Sequence, residues 1–238
     1  MKQRDWNSLA KKFETHVCDL TATEVSKTIP TLVKSARIPA SKAVLVDLGC
    51  GIGTFIRRYG PQFDEIFGVD FADKILERAK QNQTRKVGAK VTWMAADLPA
   101  AAAEIGPRAD LTVCLNVITS PNAVTRKRLW NSVATVTKAK GYALVGVPAL
   151  ESAQMVYRYE REAASKKPAP LRKKLLNRAG ATQKHFSEDE LRTTFGKHGF
   201  ELRKLARVFV PWTEEGMEPP KAANGDKPFD WLCLAQRV

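Results

Sequence analysis

VLVDLGCGIGTF, residues 44 to 55, joins an unbroken apolar run to an acidic residue, three glycines at alternate positions and the start of a helix. An apolar run without alternation is the pattern of a strand buried on both faces of a parallel sheet. Glycines between such a strand and a helix let the backbone turn tightly and approach a ligand at the helix head. Taken alone, three alternate glycines mean no more than a tight turn, so the spacing must discriminate. A dinucleotide fingerprint places glycine at the first, third and sixth positions, whereas here Gly49, Gly51 and Gly53 are followed by Thr54. The third glycine comes one residue early. A phosphate loop ending in GK[ST] is also absent, so nothing argues for ATP or GTP.

Outward from this loop, the sequence alternates. Strands are expected at Val44–Leu48, Glu65–Val69, Lys90–Ala95, Ala109–Leu115 and Tyr142–Val147, with helices at Thr54–Tyr59 and Ala72–Gln83. A third helix begins near Pro121, with Ser120 as its cap, and ends before Gly141. Beyond the fifth strand lie a basic segment, a helix over Glu188–His198 and strands over Glu201–Val210 and Trp231–Gln236. The Pro-containing loop from Pro211 to Pro228 makes the last two strands a hairpin that adds an antiparallel strand. On the N-terminal side, Trp6, Leu9, Ala10, Phe13 and Val17 recur at helical spacing, and a second helix is expected over Thr23–Ala36. Strands alternating with helices give an α/β fold, a doubly wound, mostly parallel seven-stranded sheet.

Composition fits an ordinary globular chain: 238 residues, 44% hydrophobic and 27% charged, too rich in apolar residues for a disordered class. The longest apolar stretches fall well short of the ~20 residues of a membrane helix. The charged start MKQRDWNSLAKKFE lacks the apolar segment of a secretory signal, so the expected location is cytoplasmic. Cys18, Cys50, Cys114 and Cys233 form no CxxC pair and share no ligand spacing with His16, His185 and His198, so no metal site is expected. Cys114 and Cys233 sit in apolar runs as small buried hydrophobes. Net charge is +14, with a local peak from Arg158 to Lys184 of nine basic residues against two acidic ones. That peak reads either as a solvated helix face or as a surface for an acidic partner.

The glycine segment resembles motif I of the class I S-adenosylmethionine-dependent methyltransferases, and the resemblance extends over roughly residues 40–238. It implies a Rossmann-like methyltransferase fold with S-adenosylmethionine as cofactor. In that family the acidic residue and the loop, here Asp47, Gly49, Cys50, Gly51 and Gly53, enclose the methionine part. Seventeen residues past Gly53, the second strand ends in GVDFAD, where by resemblance Asp70 binds both ribose hydroxyls and Phe71 lies against the adenine. One carboxylate can accept two hydrogen bonds from a vicinal diol. MAADLP is similar to the adenine-edge motif, with Asp97 accepting from the exocyclic amine and the Leu98 backbone adding a contact. ADLTVCLNVITSP resembles motif IV, with Asn116 facing cofactor and methyl acceptor. WNSLAKKFE resembles the short helix that covers the cofactor in small-molecule members, with Phe13 where a tyrosine is frequent.

The resemblance divides a single domain, 1–238, into an N-terminal helical cap (1–40), a cofactor-binding core (41–148), a basic helical insertion or lid (149–185) and the rest of the sheet (186–238). Met155, Tyr157 and Tyr159 are expected on one helix of the insertion and LRKKLLNR on another. Either they line a lid or they pack it onto the sheet. The expected reaction is methyl transfer to a small-molecule acceptor, an acidic one being an option that the basic insertion raises. Two alternatives stand beside it: methylation of RNA or protein, and cofactor binding by a non-catalytic partner protein. NVIT (Asn116–Thr119) after the fourth strand is not an NPPY-type tetrapeptide, which argues against methylation of base amino groups. None of the three histidines presents itself as a general base, and no catalytic residue is assigned.

Overall fold

The computed structural model describes residues 3–88, 90–163, 175–176 and 182–238. The chain opens with three short helical pieces, α1 (Gln3–Leu9), α2 (Phe13–His16) and α3 (Leu20–Thr23), followed by α4 (Thr28–Ser35). The single helices expected over Trp6–Val17 and Thr23–Ala36 are both interrupted. The first passes through a 3-10 turn at Ala10–Lys12. The second breaks at Glu24–Lys27, where tertiary ties override the helical spacing. The Val25 amide donates to the Phe209 carbonyl, Lys27 is left-handed at φ 56°, and the Glu24 carboxylate accepts from the Ile29 amide at the head of α4.

The regular fold begins with β1 (Val44–Leu48), α5 (Thr54–Tyr59), β2 (Glu65–Asp70), α6 (Asp73–Gln81), α7 (Arg85–Gly88), β3 (Val91–Ala95), α8 (Leu98–Ile105) and β4 (Ala109–Leu115). It continues through α9 (Ala123–Val136), β5 (Thr137–Pro148), α10 (Leu150–Ala163), the two-residue strands β6 (Leu175–Leu176) and β7 (Thr182–Gln183), α11 (Glu188–Lys197), β8 (Phe200–Phe209) and β9 (Phe229–Arg237). The main sheet has seven strands in the order β3-β2-β1-β4-β5-β9-β8. β1 to β5 run parallel, and β9 is antiparallel to both of its neighbours.

Alternation along each strand sends successive side chains to opposite faces, and both faces are covered. Val46 and Leu48 of β1 join Trp130, Val133 and Phe195 from α9 and α11 on one side, whereas Leu45 meets Ile29, Leu32, Ile56 and Leu76 from α4, α5 and α6 on the other. Trp130 and Phe195 meet edge-on with ring centroids 5.1 Å apart, an arrangement worth about 0.5–1.5 kcal/mol beyond area burial. The sulfurs of Cys114 and Cys233 are fully buried in this core, and burial pushes both thiols up, as expected for inert residues.

Three local expectations need correction. Asn122, not Ser120, caps α9: its Oδ1 accepts from the Thr125 amide, while the Ser120 hydroxyl accepts from Asn122 N and so shapes the turn before it. β5 starts at Thr137 rather than Tyr142, because Thr137 already pairs with Ala109 ahead of a register shift. Within LRKKLLNR, Leu175–Leu176 is not helical but pairs antiparallel with Thr182–Gln183. The remainder of that stretch, including Arg172, Lys173, Lys174 and Arg178, lies outside the described residues.

The first helix of the insertion, α10, faces the C-terminal loop rather than the strand ends. Val156 and Tyr159 pack with Trp212 and Ala223, and the Tyr159 hydroxyl donates to Asp226 at 3.0 Å. Glu151 accepts from the Trp231 indole at 3.0 Å, and the Ser152 hydroxyl accepts from the Phe229 amide at 2.8 Å. Tyr159 therefore packs the helix onto that loop, and neither Tyr157 nor Tyr159 lines the cavity at the strand ends.

Candidate functional site

In an open α/β sheet a ligand binds outside the carboxyl ends of the strands, where the strand order reverses. Here the reversal falls between β1 and β4, and a cavity of about 430 Å³ lies at that point. Of the residues singled out in the sequence, Asp47, Gly49, Cys50, Gly51, Asp70, Phe71, Asp97, Leu98 and Asn116 all line it. Gly53 does not. Its carbonyl accepts from the Gln83 amide at 3.1 Å, so it anchors the loop to the end of α6.

The glycine loop is tied to the neighbouring strand, since the amides of Gly49 and Cys50 both donate to the Val69 carbonyl, at 2.8 and 2.9 Å. Gly49 has φ 75°, and a Cβ there would lie 2.3 Å from Val117 Cγ2. Gly51 has φ 53°, and its Cβ would lie 2.9 Å from the Phe13 ring. Both positions therefore need glycine for the turn and for close approach at once. The Cys50 thiol is buried, and burial followed by the charges of Asp47 and Asp70 pushes it well up, so it is no nucleophile.

Asp47 is 3% exposed, and its Oδ2 makes no hydrogen bond. Burial, then the charges of Asp19 and Asp70, raise its carboxyl well above the usual range. Asp70 is anchored by the loop it faces: Oδ2 accepts from the Gly51 amide at 3.1 Å and Oδ1 from the Ala72 amide at 2.9 Å. Burial raises it too, while the amides of Ala72, Gly51 and Phe71 oppose the rise. Each oxygen keeps a lone pair for a further donor. Phe71 follows, 36% exposed as a residue, its ring a flat apolar face at the cavity edge. Asp97 is largely exposed, 3.7 Å from the Arg128 guanidinium, while Leu98 is buried beside it.

Asn116 follows β4 in the left-handed region at φ 57°, which asparagine tolerates better than most residues. Its backbone amide donates to the Gly146 carbonyl, and its side-chain Nδ2 donates to Asp230 Oδ2 at 2.9 Å. Asp230 is half-buried. Burial pushes its carboxyl up to about 6, against the hydrogen bonds from Asn116 and the Ala149 amide. With Nδ2 committed to Asp230, Asn116 Oδ1 remains a buried acceptor without a partner.

The far wall of the cavity comes from the N-terminal segment: Trp6, Phe13, Cys18, Asp19, Leu20 and Thr21. Phe13 packs with Ile52, Ala72 and Ile75 over the glycine loop, as its place in the sequence suggested. The Gln3 amide donates to the Phe71 carbonyl at 2.7 Å, and Asn7 donates to Asp73 at 2.6 Å. Arg78 of α6 pairs with Glu14 and holds that carboxyl below its usual range. Asp19 and Asp230 escaped the sequence reading, and Cys18 was weighed there only as a metal ligand or disulfide partner. Asp19 carried a usable sign, since an aspartate ahead of LTAT is a helix-cap pattern, whereas Asp230 in PFDWL carried none.

The described lining holds four carboxylates, Asp19, Asp47, Asp70 and Asp97, and no lysine, arginine or histidine. Nor do the described residues contain a group of His, Cys, Asp and Glu able to hold a metal ion. Among them, no helix is long and apolar enough to cross a membrane. His185 and His198 are not part of the described cavity wall. His185 sits next to it, its Nε2 3.2 Å from the amide of the lining residue Gln183. Burial, with Lys184 adding to it, lowers its pKa to about 4, so it is neutral at neutral pH. His198 closes α11, its Nδ1 2.8 Å from the Thr194 carbonyl.

Residues 45–141 match the family model described as a methyltransferase domain. No curated protein matches the chain. Among solved structures, it is similar to an S-adenosylmethionine-dependent methyltransferase from Anabaena variabilis, at 16% identity and TM-score 0.68, over 99% of this chain and 93% of that one. It is also similar to the 1,6-didemethyltoxoflavin-N1-methyltransferase of Burkholderia thailandensis with 1,6-didemethyltoxoflavin and S-adenosylhomocysteine bound, at 16% identity and TM-score 0.64, over 99% and 87%. A third is the magnesium protoporphyrin IX methyltransferase of Synechocystis with S-adenosylhomocysteine bound, at 15% identity and TM-score 0.57, over 99% and 83%. At such identities the likeness speaks for the fold.

Proposed function

We propose that this chain is a class I S-adenosylmethionine-dependent methyltransferase that moves the methyl group onto a small-molecule acceptor. The observation that carries the reading is the convergence of four strand ends on one cavity: Asp47 in the last residues of β1, Asp70 as the last residue of β2, Asp97 after β3 and Asn116 after β4, around the Gly49–Gly51 loop. The cofactor supplies a methyl group on a cationic sulfur. The residues fit it. The unpartnered Asp47 Oδ2 lies buried where the methionine part is expected, Asp70 keeps lone pairs for a diol, and Phe71 offers a face to a base. The flat contact of the Gly51 backbone with Phe13 leaves no room for a Cβ between loop and cap.

The protein's own contribution is alignment, which for an already activated methyl can supply most of the acceleration. Asn116 is the residue best placed for the acceptor: Nδ2 donates one proton to Asp230 and so fixes the amide, leaving Oδ1 for an N–H or O–H on the nucleophile. Beyond Asn116 the cavity is walled by Val117, Pro121 and Leu129, with the hydroxyls of Thr119 and Thr125 and the Gln183 amide between them. That lining suits a compact molecule with an apolar body and a few polar edges, in keeping with the small substrates named for the toxoflavin and porphyrin enzymes. An acidic group on the acceptor finds no cation in the described lining, so that option rests on Arg172, Lys173 and Lys174.

Native mass spectrometry of the purified protein, then calorimetry with S-adenosylmethionine and S-adenosylhomocysteine, tests the cofactor. Micromolar binding is expected, and absence of binding by both removes the reading. Methyl transfer to a panel of small N–H and O–H acceptors, run beside RNA, tests the acceptor. The +14 charge favours RNA as the second reading, and salt-sensitive binding with methyl incorporation into RNA would establish it. Cofactor binding with no turnover on either panel would leave the non-catalytic partner role.

A further inference from the structure

The cavity carries charge of one sign in a chain of the other. Net charge is +14, yet the described lining offers four aspartates and no basic side chain. Three of the four sit on strand ends. Asp19 alone comes from the N-terminal segment, and it faces the same space as Asp47. Asp47 is buried with one oxygen free of any hydrogen bond, and such an oxygen loses its hydration without recovering it from the protein. Two carboxylates across a cavity repel unless a positive charge lies between them. Asp19 is firmly placed for that purpose, because Oδ1 accepts the amides of Thr21 and Ala22 at 3.1 and 3.3 Å and fixes the side chain at the head of α3. Its Oδ2 is outside this capping arrangement.

We propose that Asp19 is the cap's ligand for the positive charge of the bound cofactor, its ammonium or its sulfonium, so that the N-terminal segment closes on charge as well as on shape. The inference rests on the cofactor reading above, and its test separates the two. Asp19→Asn is the decisive variant, since asparagine caps a helix as well as aspartate does and only the charge is removed. Asp19→Ser caps as well and should repeat the result. Equal melting temperatures of the three proteins establish that the cap is retained.

Three probes are titrated calorimetrically into each protein: S-adenosylmethionine, with both positive groups; S-adenosylhomocysteine, with the ammonium alone; and 5′-methylthioadenosine, with neither. The expected result is a loss of about tenfold or more for the charged probes, the scale of one charge-assisted hydrogen bond, with 5′-methylthioadenosine unchanged within about twofold. Loss for both charged probes assigns the ammonium, and loss for S-adenosylmethionine alone assigns the sulfonium. Unchanged affinity for all three overturns the proposal. So does an equal loss for all three, which would make Asp19 a structural cap and nothing more. A wild-type protein that binds neither charged probe overturns the cofactor reading, and this inference with it, before any variant is made.

Discussion

The wall of the cavity made by strand ends is pinned by the hydrogen-bond ladder of a seven-stranded sheet, whereas the opposite wall, residues 3–23, rests on a few side-chain contacts to α6 and the glycine loop. Asp47 and Asp70 sit on strands bonded on both sides, and Asn116 follows another. Trp6, Phe13 and Asp19 sit on helical pieces of seven residues or fewer, too short to be stable without tertiary support. One wall is a fixed template. The other is held in place largely by what it covers, and segments with few buried contacts open at low free-energy cost.

The harshest way to break this contrast is Gly49→Ala, which damages the template itself. The left-handed backbone and the 2.3 Å approach to Val117 should together cost about 2–4 kcal/mol in urea unfolding. Adding Val117→Ala should return the steric share and leave the conformational one. Full stability in the single variant would mean the loop can rearrange and is no template.

Asp70→Asn comes next. Asparagine keeps an acceptor for Ala72 but removes the charge facing a diol, and calorimetric affinity for S-adenosylhomocysteine should fall about a hundredfold, the scale of two charge-assisted hydrogen bonds, while the fold stands. Unchanged affinity would dissociate Asp70 from the ligand.

His185, beside the lining strand β7, gives a pH test. Its pKa lies near 4 in the folded protein against an ordinary 6.5, so unfolding takes up a proton between those values. Stability is thus present above about pH 6.5 and drains away as pH falls toward 4. Asp230, raised to about 6, acts in the opposite sense, because protonation relieves its burial. His185→Gln removes only the first effect, and between pH 7 and 5 the variant should lose about 2 kcal/mol less stability than the wild type. Parallel pH profiles would show that His185 is hydrated in solution.

The smallest effect sharpens the contrast most. Arg78→Gln removes the Glu14 pairing, and for a partly exposed pair the cost in global stability should be about 1 kcal/mol or less. Hydrogen exchange should nevertheless quicken in residues 3–14 and stay unchanged in β1 to β5. Equal change in both walls would make the segment an integral part of the core.

The same contrast explains what the sequence made legible. β1, α5 and β4 were foreseeable to the residue, since a strand buried on both faces must be apolar throughout and its ends are marked by aspartate, glycine or asparagine. The template side of the site followed, with Gly53 the one residue turned the other way. The covering side was less legible because its breaks are imposed from outside: Val25 bonds to the end of β8, and Glu24 reaches forward to cap α4. No local pattern announces such ties. Asn122 displaced Ser120 as a cap for a similar reason, the chain spending two further residues on a turn that Arg126 fastens to the Ser120 carbonyl. Asp230 was out of reach altogether, because its meaning lies in Asn116, 114 residues away.

The place of β9 sets a constraint on the order of assembly at the ribosome. Among the described residues, β8 pairs with the sheet only through β9, which lies between it and β5. Emerging earlier in synthesis, β8 has no edge to join until residues 229–237 have followed it. A nascent chain can complete the ligand-facing half of the sheet while still carrying one orphaned strand, so a pause in translation before β9 would expose that strand to chaperones or to the wrong partner.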